Sequence, residues 1–121
     1  MYYDEIKPDV KVNVLGTEYG IWLNVSEEDD EILKDAAGYC DKTTHRISVM
    51  KHGDECNLGN VMENIKYILR HELIHAFLFE SGIGGEMVWD IDGQEHPEHM
   101  IEWIARQFPK MLDVFTQIDA L

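Results

Sequence analysis

Apolar and polar positions alternate over residues 10–15, "VKVNVL", and again over 18–25, "EYGIWLNV", with "GT" between them. A period of two on both sides of a turn predicts a β-hairpin. Residues 44–51, "THRISVMK", alternate too and predict a third strand, with Ile47 and Val49 on one face. Between these strands, "SEEDDEILKDAAG" (26–38) predicts a short helix with Ser26 as N-cap, acids in the first turn and Gly38 as its stop. Its apolar face, Ile32, Leu33 and Ala36, is weak. From Asn60 the period becomes helical. Asn60 stands as N-cap with Glu63 three residues on, and the pattern runs to Glu80 before "SGIGG" ends it. The glycine-rich stretch 83–96 predicts a loop. Pro97 opens a helix with the stripe Met100, Ile101, Ile104, Ala105 and Phe108. Pro109 then punctuates, and Met111, Leu112, Val114, Phe115 and Ile118 predict a last amphipathic helix. The expected fold is a single α+β domain over residues 1–121: a small sheet packed on the long helix, followed by two C-terminal helices.

The long helix contains "YILRHELIHAFLFESG", residues 67 to 82, in which an arginine, two histidines and a glutamate interrupt an apolar run. Polar groups in such surroundings cost several kcal/mol each unless they find partners. His71 and His75 are four residues apart, so they stack on one helix face and both reach a single metal ion. Glu72 points about 100° away around the axis. There it flanks the ion and suits the role of general base toward a metal-activated water. A chance HExxH in a chain of this composition is expected only about 0.03 times. An incidental pair of surface histidines also conflicts with the apolar residues 73, 74 and 76–79 around them.

A catalytic zinc needs a third protein ligand and an open position. The Gly and His that extend HExxH in metzincins are Leu78 and Ser81 here, so the ligand comes from elsewhere. The segment "GQEHPEHMIEW" offers Glu95, His96, Glu98, His99 and Glu102. Glu98 and Glu102, at i and i+4, share the flank of a helix whose neighbouring face is buried. One of them can bind a metal while the other holds a ligand histidine by its second ring nitrogen. His96 and His99 compete for the same place, or could stabilise an oxyanion; each is as readily a solvated histidine.

"HELIH" followed by "PEHMIE" resembles the gluzincin pattern, HExxH with a ligand Glu on a second helix. The resemblance implies Glu98 as third zinc ligand and Glu102 in the supporting place four residues on. Pro97 stands where the pattern usually has Asn, and Glu102 where it has Asp. "VLGTEYGIWL", "RHELIHAFLFESG" and "EHMIEWIARQFPK" extend the likeness over nearly the whole chain. They are similar to short ImmA/IrrE-type metallopeptidases of phages and mobile elements in Gram-positive bacteria. That implies a minimal zincin fold, with a short twisted sheet made of the hairpin and an edge strand, an active-site helix and a second ligand-bearing helix. It also implies that the edge strand, expected to be "HRISVM", pairs with an extended substrate, with His45 nearby.

Composition narrows the function further. The net charge of −14 repels a polyanion over most of the surface, which excludes nucleic acid as an expected partner and argues against a protease directed to DNA-bound proteins. The acidic run 27–31 lacks calcium-loop spacing and is expected to be solvated. No run of 18 apolar residues and no signal-like N-terminus is present, so a cytoplasmic protein without membrane attachment is expected. Cys40 and Cys56 are expected as free thiols in loops. Arg70 is expected to pair with an acid or a loop; Phe77, Leu78, Phe79, Trp89 and Trp103 are expected in the core. The expected activity is peptide hydrolysis with Zn2+ held by His71, His75 and Glu98 and with Glu72 as base, on a protein or peptide substrate. The alternative is a metal-stabilised protein-binding module.

Overall fold

A computed structural model describes residues 7–51, 60–81 and 98–121. Strands β1 (Val10–Val14) and β2 (Thr17–Val25) lead through a 3-10 turn (Glu31–Lys34) to β3 (Gly38–Asp41) and β4 (Arg46–Met50). Helices α1 (Val61–Glu80) and α2 (Glu98–Gln117) follow. The chain is α+β, as its periodicity predicts. The four strands form one sheet in the order β1-β2-β4-β3. The pairs β1–β2 and β3–β4 are antiparallel, whereas β2 and β4 run parallel.

The hairpin turns at Leu15–Gly16, one residue earlier than the "GT" expected. Val14 pairs with Thr17, and the two residues between have φ of 51° and 98°. Positive φ at both central positions is what the type I′ form of a two-residue hairpin turn demands. The Asn13 carboxamide steadies it by accepting the Gly16 amide hydrogen at 2.8 Å.

Three expectations fail here. Residues 26–38 are not a helix. Ser26 organises only a turn, accepting the Asp29 and Asp30 amides on its carbonyl at 3.0 and 3.2 Å. The capping residue is Asp30, whose carboxylate receives the Ile32 amide and the Tyr39 hydroxyl. Asp30 is buried while its neighbours in the acidic run stay exposed. With too little apolar surface to hold a helix, the segment keeps a four-residue 3-10 turn that buries only Leu33. Gly38 therefore opens a strand instead of closing a helix. That strand, β3, lies at the sheet edge and moves Cys40 from a loop into the sheet. Residues 46–50, expected at the edge, are interior, between β2 and β3.

Third, Pro109 does not end a helix; it lies inside α2. Proline has no amide hydrogen to offer the carbonyl four residues back, that of Ala105. Arg70 supplies the missing donor, its Nε giving a 2.6 Å hydrogen bond to the Ala105 oxygen. This backbone carbonyl is the partner of Arg70, not an acid or a loop. One side chain thus pins α2 to α1 and lets the helix pass through its proline.

Val14, Tyr19, Ile21 and Ile47 from the sheet meet Ala76 of α1 in the main core. Ile101 and Ala105 of α2 are fully buried, but Met100, Trp103 and Phe108 are exposed, contrary to the core expected there. The C-terminal end of α1 is stapled to β2 through Glu80, which accepts from the Thr17 and Tyr19 hydroxyls at 2.7 and 2.8 Å. Those donors hold the Glu80 carboxyl below its ordinary range. No helix among the described residues is long and apolar enough to cross a membrane.

Replacing Arg70 by Met is expected to cost about 1–3 kcal/mol, because the Ala105 carbonyl then lies buried without a donor. Adding Pro109→Ala restores a backbone donor and should recover part of that loss. Urea melts of the single and double variants check this; a double variant no better than Arg70→Met would refute the pairing.

Candidate metal centre

Helix α1 starts where Asn60 accepts the Glu63 amide at 3.1 Å, and closes where the Ser81 amide returns to the Phe77 carbonyl. Its phase is set by burial of Ile68, Glu72 and Ala76 against the sheet. That phase brings His71 and His75 to the border of the buried face, with ring centroids 5.1 Å apart. Both imidazoles are 14% exposed. Tyr67 meets His71 edge-on, and Phe79 stacks on His75.

Glu98 is the first residue of α2, and its carboxylate spans the pair. Oε2 lies 2.9 Å from Nε2 of His71, and Oε1 lies 3.0 Å from Nε2 of His75. The carboxylate is half exposed, so the group opens to solvent on one side. Glu72 sits deeper. It is 8% exposed and faces β3. A cleft of about 430 Å³ joins Glu72, both histidines and Glu98 to Gly38, Tyr39 and Cys40 of the edge strand and to Phe79.

Gly38 fixes how deep Glu72 can lie. A Cβ at this position would stand 2.7 Å from Ile68 Cγ2, 3.0 Å from the Ser48 carbonyl and 3.5 Å from Glu72 Cγ. Only a residue without a side chain lets α1 approach β3 so closely. The resulting burial, reinforced by the Glu98 charge, pushes the Glu72 carboxyl up to about 7. Burial, then the Glu72 charge, pushes the Cys40 thiol up to about 12, so Cys40 is a neutral wall of the cleft.

Two three-residue groups that could hold a metal share the histidines. His71, Glu72 and His75 each offer one ligand atom within 4.8 Å of the others. Glu98 instead reaches both imidazoles directly. A tetrahedral ion with ligand distances of 2.0–2.1 Å needs ligand atoms about 3.3 Å apart. The 2.9 and 3.0 Å contacts, made through the two different oxygens of Glu98, place this carboxylate within reach of both imidazoles. Either group is two imidazoles and a carboxylate, a donor set found at catalytic zinc sites.

Of the other expected residues, Glu102 lines a neighbouring hollow of about 220 Å³ with Tyr67, Ile68, His71 and Glu72. No hydrogen bond joins it to His71 among the described residues. His99 is exposed on α2, outside both groups. His45 belongs to the turn before β4, with φ of 56° and its ring against Tyr19. Glu95, His96, His52, Cys56 and Trp89, and the loop expected over 83–96, lie outside the described residues. The periodicity of the chain missed the wall made by Gly38, Cys40 and Phe79. "GYCD" is too short to show a strand period, and Phe79 looked like plain core. Lys42, 4.7 Å above the Phe79 ring, is a further cation beside this wall. No protein-family model, curated protein or solved structure matches the chain.

The raised Glu72 carboxyl has a thermodynamic consequence in protein kept metal-free by a chelator. Its folded value lies above the ordinary 4.5, so the native state retains this proton where the unfolded chain has lost it. The stability contributed by this group therefore falls as pH rises from about 4.5 to about 7. Glu72→Gln, which carries no charge, should exceed the wild type by about 1–3 kcal/mol at pH 8, with the gap closing toward pH 4.5. Urea melts across that range test it, and a gap independent of pH would count against the assignment.

Proposed function

We infer that this chain is a zinc-dependent peptidase with a gluzincin-like centre, similar to the short ImmA/IrrE-type metallopeptidases. His71, His75 and Glu98 would hold the metal. One observation carries this reading: the Glu98 carboxylate contacts both helix-borne imidazoles at once, from a different helix. Zinc at this place would supply Lewis-acid polarisation of a carbonyl and activation of a water near neutral pH.

The chain's own residues supply the rest. Glu72 lies in the same cleft as the ligand group but is drawn inward to β3, which leaves its carboxylate free for proton transfer. It accepts the proton of the attacking water and passes it to the leaving amine. A carboxyl held near neutrality by burial is suited to both halves of that exchange, and it ionises more readily once a cation lies beside it. Among the described residues β3 is the edge strand of the sheet and borders the cleft, and an extended peptide could add there as a further strand. Cys40 and Phe79 then give apolar contact without competing as nucleophiles.

Elemental analysis of protein purified without added metal should give about one zinc per chain for the wild type and for Glu72→Gln, and much less for Glu98→Ala. Equal zinc in Glu98→Ala would remove Glu98 from the ligand set. Against a peptide library read by mass spectrometry, Glu72→Gln is expected to lose about 10²–10⁴-fold in turnover while keeping its metal. Wild-type cleavage by that variant would overturn the mechanism. Zinc binding with no cleavage by the wild type would favour the metal-stabilised binding module.

A further inference from the structure

The sequence predicts two short helices where the structure has one, and the continuous α2 carries an apolar stripe past its contact with α1. Ile101 and Ala105 are buried. Further along, Phe108, Leu112, Phe115 and Ile118 follow at three- and four-residue spacing, yet they are 48%, 41%, 40% and 66% exposed. The stripe is continuous with an apolar groove of about 300 Å³ between the helices, where Ile104 and Phe108 face Ile74, Phe77 and Leu78. Phe77 is itself 46% exposed.

We propose that this stripe and groove are a two-fold interface through which two copies of the chain associate. Three observations favour a second copy over another partner. The first is area. The open side chains of stripe and groove present roughly 500–600 Å² per copy, so pairing buries about 1,000–1,200 Å². That lies at the lower end for a specific, reversible dimer. The second is shape. A protruding ridge, Leu112 to Ile118, lies beside a groove on the same molecule, and a two-fold axis sets each ridge against the groove of the partner. The third is charge. Between Trp103 and Ile118 the single acid of α2, Asp113, lies about 100° or more around the axis from the stripe, so the stripe's own side carries no acid in a chain at −14 overall. This is a face where two such chains can meet without opposing acid to acid.

The same charge gives the association a diagnostic sign. Two polyanionic chains repel at low salt, and salt screens that repulsion while leaving apolar contact intact. A basic partner recognised by charge would bind less well as salt rises. Sedimentation equilibrium of the full chain is expected to show a monomer–dimer equilibrium with a micromolar dissociation constant. Dimerisation should tighten several-fold between about 20 and 300 mM NaCl. Phe115→Lys on the ridge and Phe77→Ser on the groove should each weaken it by about tenfold or more, although the lysine lowers the net negative charge. Both positions are exposed, so thermal melts by circular dichroism should show both variants folded. A wild type that stays monomeric at about 100 µM in either salt overturns the proposal, as does weakening with salt or an equal dimer in both variants. The test does not depend on zinc or on peptide cleavage.

Discussion

The contact between α1 and the edge strand at Gly38 is the constraint from which the candidate centre follows. With no Cβ at that position, helix and sheet come close enough to bury Ile68, Glu72 and Ala76. Once those three face inward, the helical period leaves His71 and His75 at the border, mostly covered and side by side. The depth of Glu72 and the presentation of the histidines are one event, set by a single backbone approach. A side chain at residue 38 would lift the helix, hydrate Glu72 and release its carboxyl toward the ordinary range. The metal group and the candidate base are thereby coupled through packing, although they do not share a ligand position.

Three carboxylates, Glu72, Glu98 and Glu102, line the two hollows around His71. In a chain already at −14 this concentrates negative potential where the imidazoles converge. Without an ion, part of that charge is met by the two histidine contacts to Glu98, and Glu72 is pushed toward its neutral form. A divalent cation would relieve all of these at once, which is the physical argument behind the proposed metal. The cations near the centre lie outside it, over aromatic rings. Lys42 sits on Phe79 and Arg106 on Tyr67, and each ring in turn touches one of the histidines. Neither lines the cleft around the histidines.

Much of this was legible in the sequence where the determining interaction is local. Strand alternation marked β1, β2 and β4, and the i, i+4 spacing placed His71 and His75 on one face. Asn60 announced the start of α1. The failures share a different cause. β3 is four residues long, and it is defined by pairing with β4 and by the approach of α1, neither of which leaves a period in "GYCD". The segment 26–38 shows helix-start chemistry at Ser26, but the buried cap is Asp30, chosen because Tyr39 on β3 reaches it. Pro109 obeys its local rule as a breaker until Arg70, 39 residues earlier in the chain, supplies the donor it lacks.

That last exception reaches the candidate metal group itself. The segment before and within α2 offered five residues for the third ligand; spacing drew attention to the Glu98–Glu102 flank, and the gluzincin resemblance implied Glu98. Of the three that are described, Glu98, Glu102 and His99, Glu98 is the one in contact with both imidazoles, because α2 crosses α1 with Ile101 and Ala105 buried and the Ala105 carbonyl fastened to Arg70. Glu98 is seven residues, or about two turns, before Ala105, and therefore on the same side of α2. The anchor at Ala105 thus aims Glu98 at α1, while His99, one position on, is turned about 100° toward solvent. A proline that sequence rules treat as the end of a helix is tolerated through an arginine on α1. The same arginine orients the carboxylate that meets His71 and His75. The helix carrying two of the candidate ligands therefore also carries the residue that positions the third.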